Sequence, residues 1–301
     1  MDFSVIIATK DRARYLQRAL ASLQAQIGAP PFEIVVVDNG SSDDTRSVVE
    51  AYAVLSSRAE SRDDGSPVVR YAAAERPNRG QARNRGADIA GGKYLLFCDD
   101  DVALPSGWVA AHATAQGGAV DRVVNGPIVN VPSYEHRPKP ATRNYSRAFF
   151  CTCNASLSKE AFIAARGFDE RFELYGWEDT EFGVRLRLAG MRWKFAWDAY
   201  LWHIKPPDEN TIAVESRKAV EKARMAARFV AMHPSRRARL ATGAHALNLL
   251  RARHFLPDWL LALYAGVGTS NRVPAWLSAI ARNQLLDALY ARELVRSLDE
   301  P

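Results

Sequence analysis

Short, uninterrupted apolar runs that stop abruptly in polar residues set the rhythm of the first hundred residues. Phe3 to Ala8 breaks into Thr9-Lys10-Asp11-Arg12, Glu33 to Val37 into Asp38-Asn39-Gly40-Ser41, and Tyr94 to Cys98 into Asp99-Asp100-Asp101. Apolar runs of this length bounded by turn residues predict strands buried on both faces. Between them, Leu16, Leu20, Leu23 and Ile27 recur at spacings of four, three and four, the period of an amphipathic helix. Val48, Val49 and Tyr52 mark a second helix, with Ser41 to Thr45 supplying its caps and Gly40 its turn. Arg58 to Pro67 reads as a surface loop and Val68 to Ala72 as a third strand. Strand and helix alternating through short links predict a parallel doubly wound sheet, in which ligands bind at the carboxyl ends of the strands.

The pattern continues less regularly. Trp108 to Ala115 predicts a helix, Val123 to Val131 a strand with Gly126-Pro127 inside it, and Pro132 to Ser146 a mobile loop. Asn154 to Leu157 leads into a helix capped by Ser158. Leu174 to Phe182 places acidic and aromatic residues at the head of another helix, with Phe182 and Leu186 on one face and Gly190 closing it. Trp193 to Trp197 predicts a further strand, followed by Tyr200 to Pro206. From Asp208 the texture changes to Ala-, Arg- and Leu-rich helices broken at His233-Pro234, Pro257 and Pro274, which places a boundary near Pro206-Pro207. The expected organisation is therefore a domain over 1–207 and a basic helical tail over 208–301.

Composition narrows the setting. With 48% hydrophobic and 25% charged residues over 301 positions, the chain reads as a soluble globular protein. Met1-Asp2-Phe3 leads straight into a strand with no basic or apolar leader, and no run reaches the roughly 18 to 20 apolar residues of a membrane span, Trp259 to Val267 being too short. Cys98, Cys151 and Cys153 cannot form a closed disulfide framework, which points to a reducing cytoplasm. Cys151-Thr152-Cys153 lacks the second Cys or His pair a zinc site would need. The net charge of +6 divides into +1 before Asp208 and +5 from Asp208 onward. A basic tail suits phosphate-rich material, whether membrane surface, lipid-linked substrate or nucleic acid, or is an ordinary solvated helix face. Arg217, Lys218, Lys222, Arg224 and Arg228 on neighbouring helical positions, with Trp259, Leu260 and Leu261 beyond, are the elements of interfacial membrane attachment. Packing against the first domain or a second subunit, as in a homodimer, would use the same apolar face.

The chemistry concentrates at the carboxylates. Three adjacent aspartates raise one another's pKa unless a cation compensates them, so Asp99 to Asp101 suit a divalent metal, with oxygen ligands favouring Mg²⁺ or Mn²⁺. A solvated strand-to-loop turn is the alternative. Arginines beside glycines at Asn78 to Gly86 suit an anionic ligand. Nothing before Asp101 matches a dinucleotide fingerprint or a Walker lysine. Glu178, Asp179 and Glu181 could serve only the dipole of their own helix.

Taken in order, Ser4 to Thr9, Val36 to Ser41, Asn78-Arg79-Gly80 with Ala82-Arg83-Asn84, Asp99-Asp100-Asp101 and Gly176-Trp177-Glu178-Asp179 resemble the family-2 glycosyltransferases. The resemblance runs from about Phe3 to Lys205. It implies an α/β fold of the GT-A type: a Rossmann-like, mostly parallel sheet flanked by helices, here with a C-terminal helical extension. It also implies a nucleotide-binding half over about 1–101 and an acceptor half over about 102–207. By position, Thr9, Asp11, Arg12 and Asp38 correspond to the uridine cradle, and Asn78 and Arg83 to the nucleotide border. Asp99 and Asp100 fall on the ribose side, Asp101 and His203 on the metal. Asp179 corresponds to the general base, with Glu178 and Trp177 positioning the acceptor. The implied reaction is inverting transfer from a nucleotide diphosphate sugar, expected to be a UDP-sugar, to a saccharide or lipid-linked hydroxyl in cell-surface glycan synthesis. The implied location is the cytoplasm, or its face of a membrane. Lys10-Asp11 and Asn39-Gly40 depart from the commonest family pattern without touching this chemistry. A small soluble acceptor such as a natural product, a catalytically silent module of the same fold, and a nucleotidyltransferase are the competing readings. The last would want a Gly-rich, Lys-bearing first loop. Nucleic-acid binding has no recognised reading motif here.

Overall fold

A computed structural model describes residues 1–60, 66–206, 211–270 and 272–300. The chain forms two compact units, Met1–Glu173 with Glu178–Pro206, and Leu174–Trp177 with Pro207–Pro301.

The first unit opens with β1 (Phe3–Thr9), α1 (Ala13–Gln24), β2 (Phe32–Asp38), α2 (Thr45–Glu60), β3 (Val68–Ala73), α3 (Arg79–Ile89) and β4 (Tyr94–Cys98). It continues with β5 (Val102–Ala103), α4 (Trp108–Gln116), β6 (Arg122–Asn125), β7 (Ile128–Val131), β8 (Asn154–Ser158), α5 (Lys159–Ala164), α6 (Glu178–Leu188), β9 (Arg192–Phe195) and β10 (Leu201–Ile204). A seven-stranded sheet runs in the order β3-β2-β1-β4-β8-β6-β9. β1 to β4 are mutually parallel, β8 is antiparallel to its neighbours, and β6 and β9 are parallel. Every residue of β2 and β4 is buried, as continuous apolar runs demand. Each Val or Ile side chain so buried contributes about 1.5–3 kcal/mol. Glu33, a fully buried carboxylate near the start of β2, is held by the Ser4 hydroxyl at 2.6 Å and the Gly91 amide at 2.5 Å. Gly92 is obligatory, since a Cβ there would lie 2.6 Å from the backbone of Phe3 and Ser4.

Several expectations shift at element ends. Leu16, Leu20 and Leu23 are fully buried on α1, but the helix stops at Gln24 and Ile27 is exposed, tied instead through its amide to the Ser106 carbonyl. Helix α2 continues through Glu60, into the stretch expected to be loop, and 61–65 lie outside the described residues. The run from Val123 to Val131 is two strands in two sheets. Gly126 lies against the Ala199 carbonyl where no side chain fits, and Pro127 carries no N–H, so the ladder breaks and β7 joins a three-stranded sheet in the order β5-β10-β7. Asn154 straps this break. Its amide nitrogen donates to the carbonyls of Pro127 and Ala199, and its oxygen accepts from Trp108 Nε1 at 3.0 Å and pairs with His112 Nε2 at 2.9 Å. Ser156, within β8, joins His112 Nδ1 and the Gln116 amide, and burial pushes the His112 imidazole down to about 4.

The second unit consists of α7 (Ile212–Met232), α8 (Arg236–Thr242), α9 (Ala246–His254), α10 (Asp258–Gly268) and α11 (Ala275–Asp299), with Leu174–Trp177 packed among them. The proline breaks fall where expected, and Gly243 in the left-handed region ends α8 as well. Ala223, Ala226, Ala227, Val230, Ala244 and Leu294 form a small-residue core against which Trp177 packs, its ring stacked on Phe229 at 5.1 Å. Ion pairs link the helices, Arg224 to Glu293, Arg282 to Glu215, Arg251 to Asp287, Arg253 to Asp299 and Arg292 to Asp258. Helix α10 contributes no buried residue, and Trp259 on it is 68% exposed. No described helix is long and apolar enough to cross a membrane.

Candidate active site

The register of the sheet assembles the site. Thr9 pairs with Asp38 across β1 and β2, and β4 lies on the other side of β1, so the polar ends of the three apolar runs meet at one edge. Beyond Cys98 the chain turns through Asp99, Asp100 and Asp101 into the two-residue strand β5. That strand pairs with β10 and puts His203 opposite Val102. The Ile204 amide donates to the Asp101 carbonyl at 2.8 Å, which fixes β10 against the triplet.

Each aspartate meets a different environment. Asp100 is buried, accepts from the Thr9 hydroxyl at 2.7 Å and faces Arg12 at 3.4 Å. Burial outweighs the guanidinium and pushes its carboxyl up to about 7. Asp101 is also buried, but His203 at 2.9 Å, Lys205 at 3.1 Å and Arg12 at 2.6 Å surround it. These groups overcome burial and hold the carboxyl below its ordinary range. Asp99 lies 3.6 Å from Arg83 and 3.9 Å from His203. The charge repulsion expected of the triplet is thus relieved largely by Arg12, Arg83 and Lys205 of the protein itself. Lys205 does not stand out in the sequence, and Cys153 enters there only as half of the Cys151-Thr152-Cys153 pair that lacked partners; both arrive at the site through sheet pairing.

Arg83 carries the arrangement across the unit. Buried on α3, it reaches Asp99 with one guanidinium nitrogen and Glu178, at the start of α6, with the other at 3.4 Å. One Oε of Glu178 is buried with no hydrogen-bond partner. Asp179 follows, its carboxylate accepting from the Thr180 amide at 2.7 Å. Burial first, then the adjacent Glu178, raise its carboxyl above the ordinary range, against the pull of Arg83. Carboxylates in a first turn already suit the helix dipole. Here one of them, Glu178, also shares a buried arginine with Asp99 at the end of β4.

The remaining sequence candidates also make structural contacts. Asp11 adopts a left-handed backbone (φ 51°) and clamps the Ser42 amide at 2.7 Å, joining the loops after β1 and β2. Those hydrogen bonds lower its carboxyl. Asp38 accepts from the Ser41 amide at 2.8 Å and from the Tyr71 hydroxyl at 3.1 Å. Asn78 caps α3 by accepting from the Gln81 amide, and its nitrogen donates to the Glu170 carbonyl. Trp177 belongs to the core of the helical unit, with a left-handed backbone at φ 74°.

Two observations bear on a metal. His203 Nε2 lies 2.9 Å from Asp101 and 3.9 Å from Asp99, and its side chain is only 13% exposed. The ligand atoms of Asp99, Cys153 and His203 lie within 4.8 Å of one another. An imidazole nitrogen converging on two carboxylates fits a cation site, so Asp99, Asp101 and His203 are residues that could hold one.

Two family models match the chain, and known proteins resemble it. The model described as glycosyl transferase family 2 matches residues 4–167, and that described as the N-terminal domain of galactosyltransferase matches 135–205. The chain is 31% identical to validoxylamine A glucosyltransferase of Streptomyces hygroscopicus subsp. limoneus, over 77% of this chain and 57% of the relative. It is 26% identical to chondroitin synthase of Pasteurella multocida, over 72% of this chain and 26% of that protein. It therefore spans little more than half of one relative and about a quarter of the other. In fold it is similar to mannosyltransferase PcManGT from Pyrobaculum calidifontis in complex with GDP-Man and Mn²⁺ (TM-score 0.63, 18% identity, 99% of this chain and 88% of that one). It is also similar to S. aureus TarS 1-349 in complex with UDP-GlcNAc (TM-score 0.55, 22% identity, 98% and 92%).

Proposed function

The chain belongs to glycosyl transferase family 2, and from that membership we propose that it moves a sugar, with inversion, from a UDP-sugar to a hydroxyl of a saccharide or lipid-linked saccharide. The observation that carries the reading is Arg83, which ties the carboxylate end of β4 to Glu178, the residue before Asp179 at the head of α6. Donor-side and acceptor-side groups are thereby held in one electrostatic unit.

In this reading Thr9 and Asp38 line the nucleoside end, with Asp11 and Asn78 shaping the loops around it. Arg12 and Lys205, both against Asp101, face the diphosphate and favour its developing charge. Asp179 takes the proton of the acceptor hydroxyl as that oxygen bonds to the anomeric carbon. The bond from that carbon to the diphosphate breaks on the opposite face, which inverts the configuration. A carboxylate raised above its ordinary range is better matched to this task than a free one. Glu178 orients Arg83 and keeps Asp179 raised. Asp99, Asp101 and His203 would hold Mn²⁺ or Mg²⁺. When bound, such an ion neutralises charge on the leaving diphosphate.

Relatives named for validoxylamine A and for chondroitin point to small-molecule and polysaccharide acceptors respectively. A panel of nucleotide sugars, assayed for nucleotide release with and without Mn²⁺ against saccharide and small glycoside acceptors, tests the proposal. UDP release from one donor, stimulated by acceptor and by metal, is expected. Release of no nucleotide from any donor would leave a silent nucleotide-binding module.

The tail admits a second reading, favoured by the exposure of Trp259, Leu263, Trp276 and Ile280. An apolar helix face of this kind beside basic residues suits an anionic membrane surface, where a lipid-linked acceptor would lie.

A further inference from the structure

The thiol of Cys153 is the feature of the site that the family chemistry leaves over. It sits at the entry to β8, one residue before Asn154, which pairs with Cys98 at the end of β4. That register carries the Cys153 side chain under the carboxylate triplet, and its sulfur is within 4.8 Å of ligand atoms of both Asp99 and His203. The three residues come from segments far apart in sequence, so no spacing pattern announces them. Packing alone would account for a buried cysteine, and Cys153 does lie in the core cluster beneath β1 and β4. Packing does not account for its partners, a carboxylate and an imidazole whose Nε2 also faces the buried Asp101.

We propose that Cys153 is a metal ligand, so that Asp99, Cys153 and His203 form a mixed oxygen, sulfur and nitrogen set that takes thiophilic divalent ions, Zn²⁺ and Cd²⁺ above all. This rests on the reading of the triplet as a metal site and deepens it. Tetrahedral zinc, with bonds of about 2.0–2.3 Å, places its ligand atoms about 3.3–3.7 Å apart. The 3.9 Å between His203 Nε2 and Asp99 Oδ2 needs only a small contraction to reach that separation. Soft thiolate donors select zinc-like ions, whereas Mg²⁺ is satisfied by the carboxylates and gains nothing from sulfur. Binding converts the thiol S–H to a sulfur–metal bond and releases one proton to solvent. The site then has two modes. Hard ions use the aspartates and His203, while zinc-like ions recruit the sulfur and compete with them.

Titration of the full chain with Cd²⁺ tests this without any assay of turnover. The wild type should develop an ultraviolet thiolate-to-cadmium charge-transfer band that survives Cys151→Ser and is lost in Cys153→Ser. Zn²⁺ affinity of Cys153→Ser should fall by at least the roughly 10- to 100-fold typical of losing an outer-shell partner, with Mn²⁺ affinity, read by electron paramagnetic resonance, little changed. Should Cys153→Ser fail to fold by circular dichroism, cadmium NMR of the wild type decides the same question, since one sulfur ligand shifts the resonance far from that of an all-oxygen site. Mn²⁺ binding with no charge-transfer band, or a band lost in Cys151→Ser instead, overturns the role of Cys153 and leaves the metal site standing. Binding of neither Mn²⁺ nor Cd²⁺ removes both.

Discussion

The end of β4 and helix α10 depart from ordinary protein structure in opposite directions. At β4, charged groups are inside. Asp100, Asp101, Arg83 and Glu178 are all buried, an arrangement that costs free energy unless every charge finds a partner. On α10, apolar groups are outside, Trp259 and Leu263 among them, with no buried residue on the helix. The first departure is closed internally, because Arg12, Arg83 and the His203 to Lys205 strand end converge from three separate segments to meet the carboxylates. The second is left open, and the ion pairs around it hold the helices to one another without covering the tryptophan. Internal closure marks groups organised for chemistry. An open apolar face marks a surface organised for contact.

Removing the proposed base should break the first half of this contrast most sharply. Asp179→Asn should lower turnover by about 10² to 10⁴ while nucleotide-sugar affinity, measured by calorimetry, stays near the wild-type value. Near-normal turnover would move the base to Glu178 or Glu181. A smaller effect is expected on the donor side, where Asp101→Ala should weaken UDP binding by about tenfold or more, or 1.4 kcal/mol, and abolish its response to EDTA. Equal UDP affinity with and without metal in the wild type would show that Arg12 and Lys205 alone serve the diphosphate.

The pH profile sharpens the same half. Asp179 must be ionised to accept a proton, and burial and Glu178 raise its pKa, so kcat/KM should fall as pH drops through that raised value. The acid limb should therefore lie above the range of an ordinary aspartate. Glu178→Gln removes a raising neighbour and should move that limb to lower pH, which a rate profile reads directly. Smallest is the effect at the open face. Trp259→Ala should reduce co-sedimentation with anionic vesicles at low salt, with turnover on a soluble acceptor unchanged. The loss expected is a few-fold in vesicle affinity, well under the roughly 1.5–3 kcal/mol of fully burying an apolar side chain, because an interfacial ring is only partly immersed and the basic residues keep their contribution of about 1 kcal/mol each. Wild-type protein that ignores anionic vesicles would leave the face to another partner.

How much of this was legible depends on the range of the interactions involved. β1, β2 and β4 announce themselves because a strand buried on both faces must be apolar throughout, and their polar ends mark the site edge. The three-stranded sheet was hidden. β5 is two residues long, and β7 is severed from β6 by Gly126-Pro127, a break whose partner, Ala199, is remote in sequence. The same remoteness concealed Lys205 beside Asp101 and the approach of Cys153 to Asp99 and His203. Trp177 stands in a motif that suggests acceptor contact, yet its ring stacks on Phe229, some fifty residues further on. In the tail, Arg224 looks like part of a free basic stripe and is paired with Glu293, and Lys218 lies over the Tyr175 ring. Charge counts do not reveal which cations are already engaged.

Asn154 has a consequence for how this sequence can diverge. Its oxygen serves Trp108 and His112 and its nitrogen two carbonyls, so every donor and acceptor of the amide is taken. That direction obliges His112 to carry its proton on Nε2, which leaves Nδ1 to accept from Ser156, whose oxygen in turn receives the Gln116 amide. Aspartate at position 154 would present oxygens to two carbonyls, glutamine would overreach, and a change at 112 would strand both neighbours. The positions 108, 112, 116, 154 and 156 are thus a linked inheritance. Drift can pass through them only if compensating replacements arrive together, however freely the surface around them varies.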